Sequence, residues 1–318
     1  MSALQNGIVS DASLHLGVRM RCPRCRAELR GLECPLCRFR MEVGCGIVHA
    51  LPPEQVAHYA QFMEDYERIR ATEGRGSEDE DFYLSLPYKD VSERNSQQWQ
   101  IRARSYNYLI EHVLKKNLQD GCGRILDLGA GNCWMSYRLA LAGYQPVAVD
   151  LLIGDRDGLG AAAHYKKYLP KIFPRFQAEL TRLPFQDGQY DAVIFNGSFH
   201  YSEDYGATLR EAFRCVKYGG MVIISDTPWY SREESGRQMV SERRADFIKR
   251  YGTPSNSIRS IEYLTDERLR TLEEQLSIQW TVHFPYYGFK WAMRPFVAKL
   301  HRKREPSRFR IYVARKTI

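Results

Sequence analysis

The stretch Arg124-Ile-Leu-Asp-Leu-Gly-Ala-Gly-Asn132 limits how this chain can fold more than any other. A short apolar run with the character of a strand ends in two glycines separated by one residue. Gly129 and Gly131 carry no Cβ, so backbone can approach a ligand closely there. The segment that follows, Cys133 to Ala142, has helical spacing, with Trp134, Leu139 and Leu141 among its apolar positions. Strand, tight glycine turn and helix N-terminus together are how open α/β sheets bind nucleotide-like cofactors. The pattern is Asp-x-Gly-x-Gly, not the Gly-x-Gly-x-x-Gly of dinucleotide folds. A second strand, Gln145-Pro-Val-Ala-Val-Asp150, ends in a carboxylate about twenty residues on, where it can accept both hydroxyls of a ribose.

On these residues the chain resembles the class I S-adenosylmethionine-dependent methyltransferases, and most of all the broad group that includes ubiquinone-biosynthesis and natural-product enzymes. Asp127-Leu-Gly-Ala-Gly-Asn132 is similar to that family's first motif, and Asp150 to its ribose-binding acid. Glu179-Leu-Thr-Arg-Leu-Pro-Phe-Gln-Asp-Gly-Gln-Tyr-Asp191 is similar to its adenine-side loop, although most relatives have Asp where this chain has Glu179. Ala192 to Asn196 reads as the fourth strand, and Lys217 to Ser225 as the turn and fifth strand. The resemblance implies a Rossmann-like seven-stranded α/β sheet with helices on both faces, the last strand antiparallel between the fifth and sixth. It implies that S-adenosyl-L-methionine is held by Asp127, Gly129, Ala130, Gly131, Asn132, Asp150, Leu151, Glu179, Leu180 and Asn196.

Cys22-Pro-Arg-Cys25 and Cys34-Pro-Leu-Cys37 form the second strong signal. Each Cys-x-x-Cys knuckle presents two thiolates to one ion, and four soft thiolates suit tetrahedral zinc in a closed, structural site. Such an ion holds together a segment too small to bury a core. With Val43 to Pro52 as a short strand and turn, the run resembles the zinc ribbons fused in front of many bacterial methyltransferases. These in turn are similar to the zinc-ribbon activator subunit of eukaryotic tRNA, rRNA and protein methyltransferases. The guanine-N1 rRNA methyltransferases also carry a ribbon, usually with a histidine as fourth ligand where this chain has a cysteine.

The expected organisation is a zinc ribbon over 1–52, a helical and acidic linker over 53–91, and the methyltransferase domain over 92–318. Pro53 to Thr72 reads as a helix with Val56, Tyr59, Ala60, Met63 and Ile69 near one face. The acidic run Glu73 to Asp81 reads as a flexible link. Ser92 to Leu118 is a second helical segment. In the family such a helix often covers the cofactor cleft, so Arg102 and Tyr106 are candidates to meet the carboxylate of the methionine moiety. The alternative makes Tyr106 core and Arg102 a surface charge. Asp155-Arg-Asp-Gly-Leu-Gly160 forms a loop beside the ribose site; Asp155 or Asp157 could contact the cofactor, or Asp157 could cap the next helix. Further helices are expected over Arg232–Arg250, Thr265–Leu276 and Phe289–His301, and strands over Ser277–His283 and Arg308–Ala314.

The chain lacks the Asn/Asp-Pro-Pro-Tyr tetrapeptide with which many amino-group methyltransferases follow the fourth strand. Asn196-Gly-Ser-Phe-His-Tyr201 stands there instead, leaving oxygen, carbon, sulfur and ring-nitrogen acceptors open. His200 is the candidate general base; a structural role or a cofactor contact is the alternative. Tyr201, Tyr286, Tyr287, Phe289 and Trp291 could line an acceptor pocket or belong to the core.

Net charge is +8, with arginines crowding Arg19 to Arg40 and basic residues crowding Lys299 to Arg310. Those ends read as an RNA footprint or as solvated surface. No apolar run is long enough to span a bilayer, the first twenty residues lack a signal-peptide pattern, and clustered cysteines suit a reducing compartment, so a cytoplasmic protein without a membrane partner is expected. Three functions follow from this reading: methylation of a small molecule, methylation of RNA gripped by the ribbon and basic ends, or a cofactor-binding, partner-dependent protein without turnover. Oligomeric state stays open.

Overall fold

Apolar alternation in the central strands builds a single sheet with a core on each face. The computed structural model describes residues 17–118 and 122–317; most of the leading stretch considered above as a signal lies outside them. The described chain begins with an antiparallel pair, β1 (Met20–Arg21) and β2 (Glu28–Leu29), and a hairpin, β3 (Glu42–Gly44) and β4 (Ile47–His49). Three helices follow: α1 (Pro53–Thr72), α2 (Glu80–Ser85) and α3 (Ser96–Tyr108), the last running on as a π-helical stretch, Leu109–Leu114. Next come β5 (Arg124–Leu128), α4 (Trp134–Leu141), β6 (Gln145–Asp150), a 3-10 stretch Leu159–Lys167, β7 (Arg175–Gln177) and β8 (Tyr190–Asn196). The chain ends with α5 (Tyr205–Cys215), β9 (Val216–Ser225), α6 (Glu233–Tyr251), α7 (Asp266–Leu276), β10 (Thr281–His283), α8 (Phe289–Leu300) and β11 (Ile311–Arg315).

The sheet order is β10-β11-β9-β8-β5-β6-β7-β4-β3. The seven strands from β5 to β11 have the expected arrangement, with β11 antiparallel between β9 and β10. Two strands were not expected in this sheet: β4 pairs in parallel with β7, and β3 forms the edge. Buried Arg175 fixes that extension, donating to Cys45 O at 3.0 Å and Leu159 O at 2.9 Å. Along β5, β8 and β9 the side chains alternate. Leu126, Leu128, Val193, Phe195, Val222 and Ile224 face one core, whereas Ile125, Ala192, Ile194, Met221 and Ile223 face the other. Successive parallel strands leave β5 in opposite directions, to β6 on one side and β8 on the other. A crevice opens at the strand C-termini where the order reverses.

Two expectations about the first hundred residues are corrected. The inward face of α1 is Phe62, Asp65 and Ile69; Val56 is exposed, because this helix meets the loop after β8 and not a broad apolar layer. The acidic run is not free of the fold. Asp79 caps α2 through Asp81 N at 2.9 Å, Glu78 pairs with Arg156, and Glu80 pairs with Lys167 at 3.3 Å. Tyr83 just beyond is fully buried and stacks on His164 at 4.2 Å.

Candidate cofactor site and four-cysteine cluster

The turn after β5 is set by three left-handed residues, Gly129 (φ 74°), Gly131 (φ 52°) and Cys133 (φ 62°). Gly129 N and Ala130 N both donate to Val149 O, at 2.8 and 3.0 Å, tying the turn to β6. Glycine is required at 129 for two reasons: its φ, and Ser198, whose Cβ a methyl group there would strike. Asp150 completes the turn, its carboxylate accepting from Gly131 N at 2.7 Å and Leu152 N at 2.8 Å. Burial pushes its pKa up to about 6, against those two backbone bonds.

A cavity opens on this turn. It is lined by Gly129, Gly131, Asp150, Leu151 and Leu180, all expected from the sequence. Phe62 and Tyr66 of α1, Ala178, Gly197, Ser198 and Tyr201 also line it. The helix that covers the cavity is therefore α1; the sequence pointed to the Ser92–Leu118 segment. Phe62, Tyr66 and Tyr201 form an aromatic group with ring separations of 5.6 to 6.1 Å. Arg70, one turn beyond Tyr66, is paired with Asp157 at 2.5 Å, beside the turn. That ion pair corrects the reading of Asp157 as a helix cap: Gly158 precedes the 3-10 stretch, and Asp157 holds α1.

Several expected site residues support the turn and are not part of the cavity lining. Asp127 lies under it, accepting from Ser136 Oγ at 2.7 Å, with burial raising its pKa to about 7. Ala130 is buried. Asn132 Oδ1 accepts from Trp134 N at 3.3 Å at the start of α4. Glu179 folds back on its own loop, accepting from Thr181 N and Thr181 Oγ1, both at 2.8 Å. Its extra methylene lets the carboxylate reach that turn. Asn196 ends β8 in register with Ser225. Tyr106 is core: it packs edge-on against Trp134, 5.7 Å away, in the layer below the sheet.

Arg102 lies over the Trp99 ring at 4.7 Å, and no carboxylate within ion-pair distance meets it among the described residues. Burial, Arg70 and Arg75 bring its pKa down to about 10, so it stays cationic at neutral pH. Its field reaches His200. Burial, then Arg102 and Arg243, lowers that imidazole to about 3, and its buried Nδ1 has no hydrogen-bond partner. His200 is thus neutral near pH 7 and a weak proton acceptor.

No sequence pattern pointed to Asp226, just past β9. Its Cβ lies 3.8 Å from where a Cβ on cavity-lining Gly197 would stand. One oxygen accepts from Ser105 Oγ, which also meets Tyr287 Oη at 2.9 Å; the other, Oδ2, is buried without a partner. Burial raises its pKa to about 6.

The four cysteine Sγ atoms converge, all within 4.8 Å of one another, with Cys22 to Cys37 at 3.6 Å and Cys25 to Cys34 at 3.4 Å. A tetrahedron of thiolates at ~2.3 Å from a metal has edges of about 3.8 Å, so the cluster fits such an ion. The two knuckles repeat each other. Arg26 N donates to Cys22 O and Arg38 N to Cys34 O, at 2.8 and 3.0 Å, and both arginines have left-handed φ. The ribbon rests on the sheet's own loops. Met20 bridges to Phe185 in the core, and Arg21 N donates to Pro184 O at 3.0 Å. Arg26 reaches Glu211 at 3.0 Å and Thr181 O at 3.1 Å.

Residues 126–224 match the family model described as a methyltransferase domain. This chain carries a methyltransferase domain. Among curated proteins it is similar to a demethylmenaquinone methyltransferase of Mycolicibacterium gilvum, 33% identical over 103 residues, 32% of this chain and 41% of that one. An arsenite methyltransferase of Aquipseudomonas alcaligenes is 29% identical over 142 residues, 41% of this chain and 38% of that protein. The chain thus spans about two fifths of the length of these relatives. Among solved structures, a possible histamine N-methyltransferase of Thermotoga maritima aligns with 82% of this chain and 99% of its own, at 16% identity and TM-score 0.43. The matched residues run from within β5 to near the end of β9, and so include the glycine turn, Asp150 and the strand ends that form the cavity. No helix among the described residues is long and apolar enough to cross a membrane.

Proposed function

We propose that the chain transfers a methyl group from S-adenosyl-L-methionine to a small-molecule acceptor, and that its four cysteines hold a structural zinc ion. The observation that carries the first part is the cavity on the glycine turn, lined by Asp150 and Gly197 among others. When bound, the cofactor supplies an electrophilic methyl group on a good leaving group. The protein's work is then to place the acceptor in line and keep water out. Asp150 would accept the ribose hydroxyls, Leu151 and Leu180 would flank the adenine, and Phe62 and Tyr66 close the cavity from α1. Arg102, cationic and without a carboxylate partner, would hold the methionine carboxylate.

If the acceptor carries a proton, Asp226 is better suited to receive it than His200. Its ionisation lies near pH 6 and its buried Oδ2 has no partner, whereas His200 is held neutral and weakly basic by burial and then by Arg102 and Arg243. The domain matched in the curated relatives belongs to proteins whose names specify small acceptors, a quinone precursor and arsenite. This favours the small-molecule reading over RNA.

Calorimetry with the cofactor, followed by an acceptor screen with quinone, phenol and thiol compounds, tests the proposal. Cofactor binding that is lost in Asp150→Ala, with transfer to one acceptor class, supports it. Absence of binding by a folded, zinc-loaded protein overturns it. Transfer to bulk RNA with no small-molecule turnover would replace the acceptor class.

A further inference from the structure

We infer that α8 and its flanks form a docking surface for an anionic lipid bilayer. At about 3.6 residues per turn, Phe289, Met293, Phe296 and Leu300 share one stripe of this helix. That stripe faces solvent: Phe289 is 72% exposed, Phe296 62% and Leu300 71%. The helix buries no residue completely. Its opposite side makes the attachment, with Trp291 stacked on Phe309 at 5.6 Å. An amphipathic helix with its apolar stripe outward is the reverse of what a helix packed on a core presents.

The charges around the stripe choose the occupant. Lys290 and Lys299 flank it on either side, and Arg302 and Lys303 follow its end. From Phe284 to Arg310 the chain has eight Lys or Arg and one acidic residue, Glu305; Arg304 and Arg310 are paired with Glu242 and Asp266, at 3.0 and 3.1 Å, and the other six are in no ion pair with a described carboxylate. Glu305 is already taken, accepting from Ser231 N and Oγ at 2.9 and 2.8 Å. An apolar stripe between basic flanks fits a helix lying in the interface of a bilayer, rings and leucine below the headgroups and cations among anionic ones. A second copy is a poor fit, because it would bring two such basic segments together. A nucleic acid would leave the apolar stripe without a partner. Phe284 and Tyr286, 66% and 72% exposed, extend the same surface.

The surface is linked to the end of the sheet where β9 runs into Asp226. The loop leading into α8 is fastened by Tyr287, whose hydroxyl meets Ser105 Oγ at 2.9 Å; Ser105 in turn donates to Asp226. Arg104 donates to Tyr287 O. Docking of α8 would bring this end of the sheet to the bilayer. The expectation of no membrane partner rested on the absence of a spanning segment, which does not bear on surface binding. The inference does not depend on the methyl-transfer reading.

The test is co-sedimentation of the full chain with vesicles of phosphatidylcholine alone and with roughly one third phosphatidylglycerol. Binding is expected to the anionic vesicles, weakening at least roughly tenfold when salt screens the headgroups or when Lys290 and Lys299 become Glu. The pair Phe296→Glu and Leu300→Glu should abolish it without altering the melting temperature, since both side chains are solvent-exposed. Failure of the wild type to bind anionic vesicles at low salt overturns the inference. So does binding that the Phe296 and Leu300 changes leave intact, which would be surface charge alone. A concentration-dependent dimer that these changes dissociate, in a chain that ignores vesicles, would assign the stripe to self-association instead.

Discussion

Asp150 offers the sharpest test of the cofactor site, because its environment makes cofactor affinity depend on pH in a calculable way. Burial holds its pKa at about 6, and only the ionised form presents lone pairs to two ribose hydroxyls while still accepting from Gly131 N and Leu152 N. With that value the carboxylate is about 97% ionised at pH ~7.5 and about 9% at pH ~5. If the ionised form alone binds, the cofactor Kd rises about tenfold over that interval, or about 1.4 kcal/mol. The direction follows from linkage: a ligand that needs the deprotonated group lowers its pKa and releases protons on binding, about half a proton at pH ~6 and about 0.9 at pH ~5.

Calorimetry in buffers of different ionisation enthalpy measures both the affinity and the proton release. Asp127 and Asp226 also have raised pKa values, at about 7 and 6, so Asp127→Asn and Asp226→Asn are run alongside. The pH dependence should survive in both and vanish in Asp150→Asn. That variant should also bind more weakly at pH ~7.5, since an amide cannot satisfy both backbone donors and the ribose, a loss of about 1–3 kcal/mol. A wild-type Kd that stays flat from pH ~5 to ~7.5, or a dependence that persists in Asp150→Asn, refutes the ribose assignment.

Other outcomes can be checked on the same protein. Without cofactor, the contribution of Asp127, Asp150 and Asp226 to stability should fall as pH rises from ~4 to ~7. Their folded pKa values lie above the unfolded ones, so each contribution is fully present below the unfolded value and lost on ionisation; the three Asn variants should flatten that slope in denaturant titrations. Gly129→Ala should abolish cofactor binding, because the new methyl strikes Ser198 and the residue must hold φ 74°. Chelation, or Cys25→Ser, should release about one zinc per chain by atomic absorption. It should also weaken cofactor binding severalfold, because Arg26 of the first knuckle holds Thr181 O and Glu211 while Leu180 lines the cavity. Unchanged affinity after metal loss would sever that connection. Arg70→Ala should destabilise the fold by about 1–3 kcal/mol in chemical denaturation, since it leaves the half-buried Asp157 without its cation.

The parts legible in the sequence were those in which chemistry and structure are local. Gly129 and Gly131 announce a turn that tolerates no side chain, Asp150 follows at the end of the next strand, and two Cys-x-x-Cys knuckles close on one point. The cover of the cavity was not local. Phe62, Tyr66 and Arg70 recur every four residues along α1, but nothing in that stripe says that it meets Tyr201 and Asp157, more than 85 positions away. Asp226 was hidden for the same reason: an aspartate after a strand is ordinary until Ser105, 121 positions before it and 182 before Tyr287, is seen to join the two.

Arg102 and Tyr106 show the limit most plainly. They lie one turn apart on α3, and helix periodicity treats them as neighbours on one face. A rotation of about 40° between positions i and i+4 is nevertheless enough to separate their fates. Tyr106 enters the core against Trp134, whereas Arg102 stays over Trp99 within the field of Arg70, Arg75 and Asp226. Affinity should follow that separation. Arg102→Ala should weaken cofactor binding by tenfold or more, at about the 1.5–3 kcal/mol of a charged hydrogen bond, with little change in melting temperature. Tyr106→Ala should lower the melting temperature, by the roughly 3–5 kcal/mol of a large core truncation, and alter the affinity of the folded fraction far less. The opposite pattern in the pair would return Tyr106 to the cofactor and Arg102 to the fold.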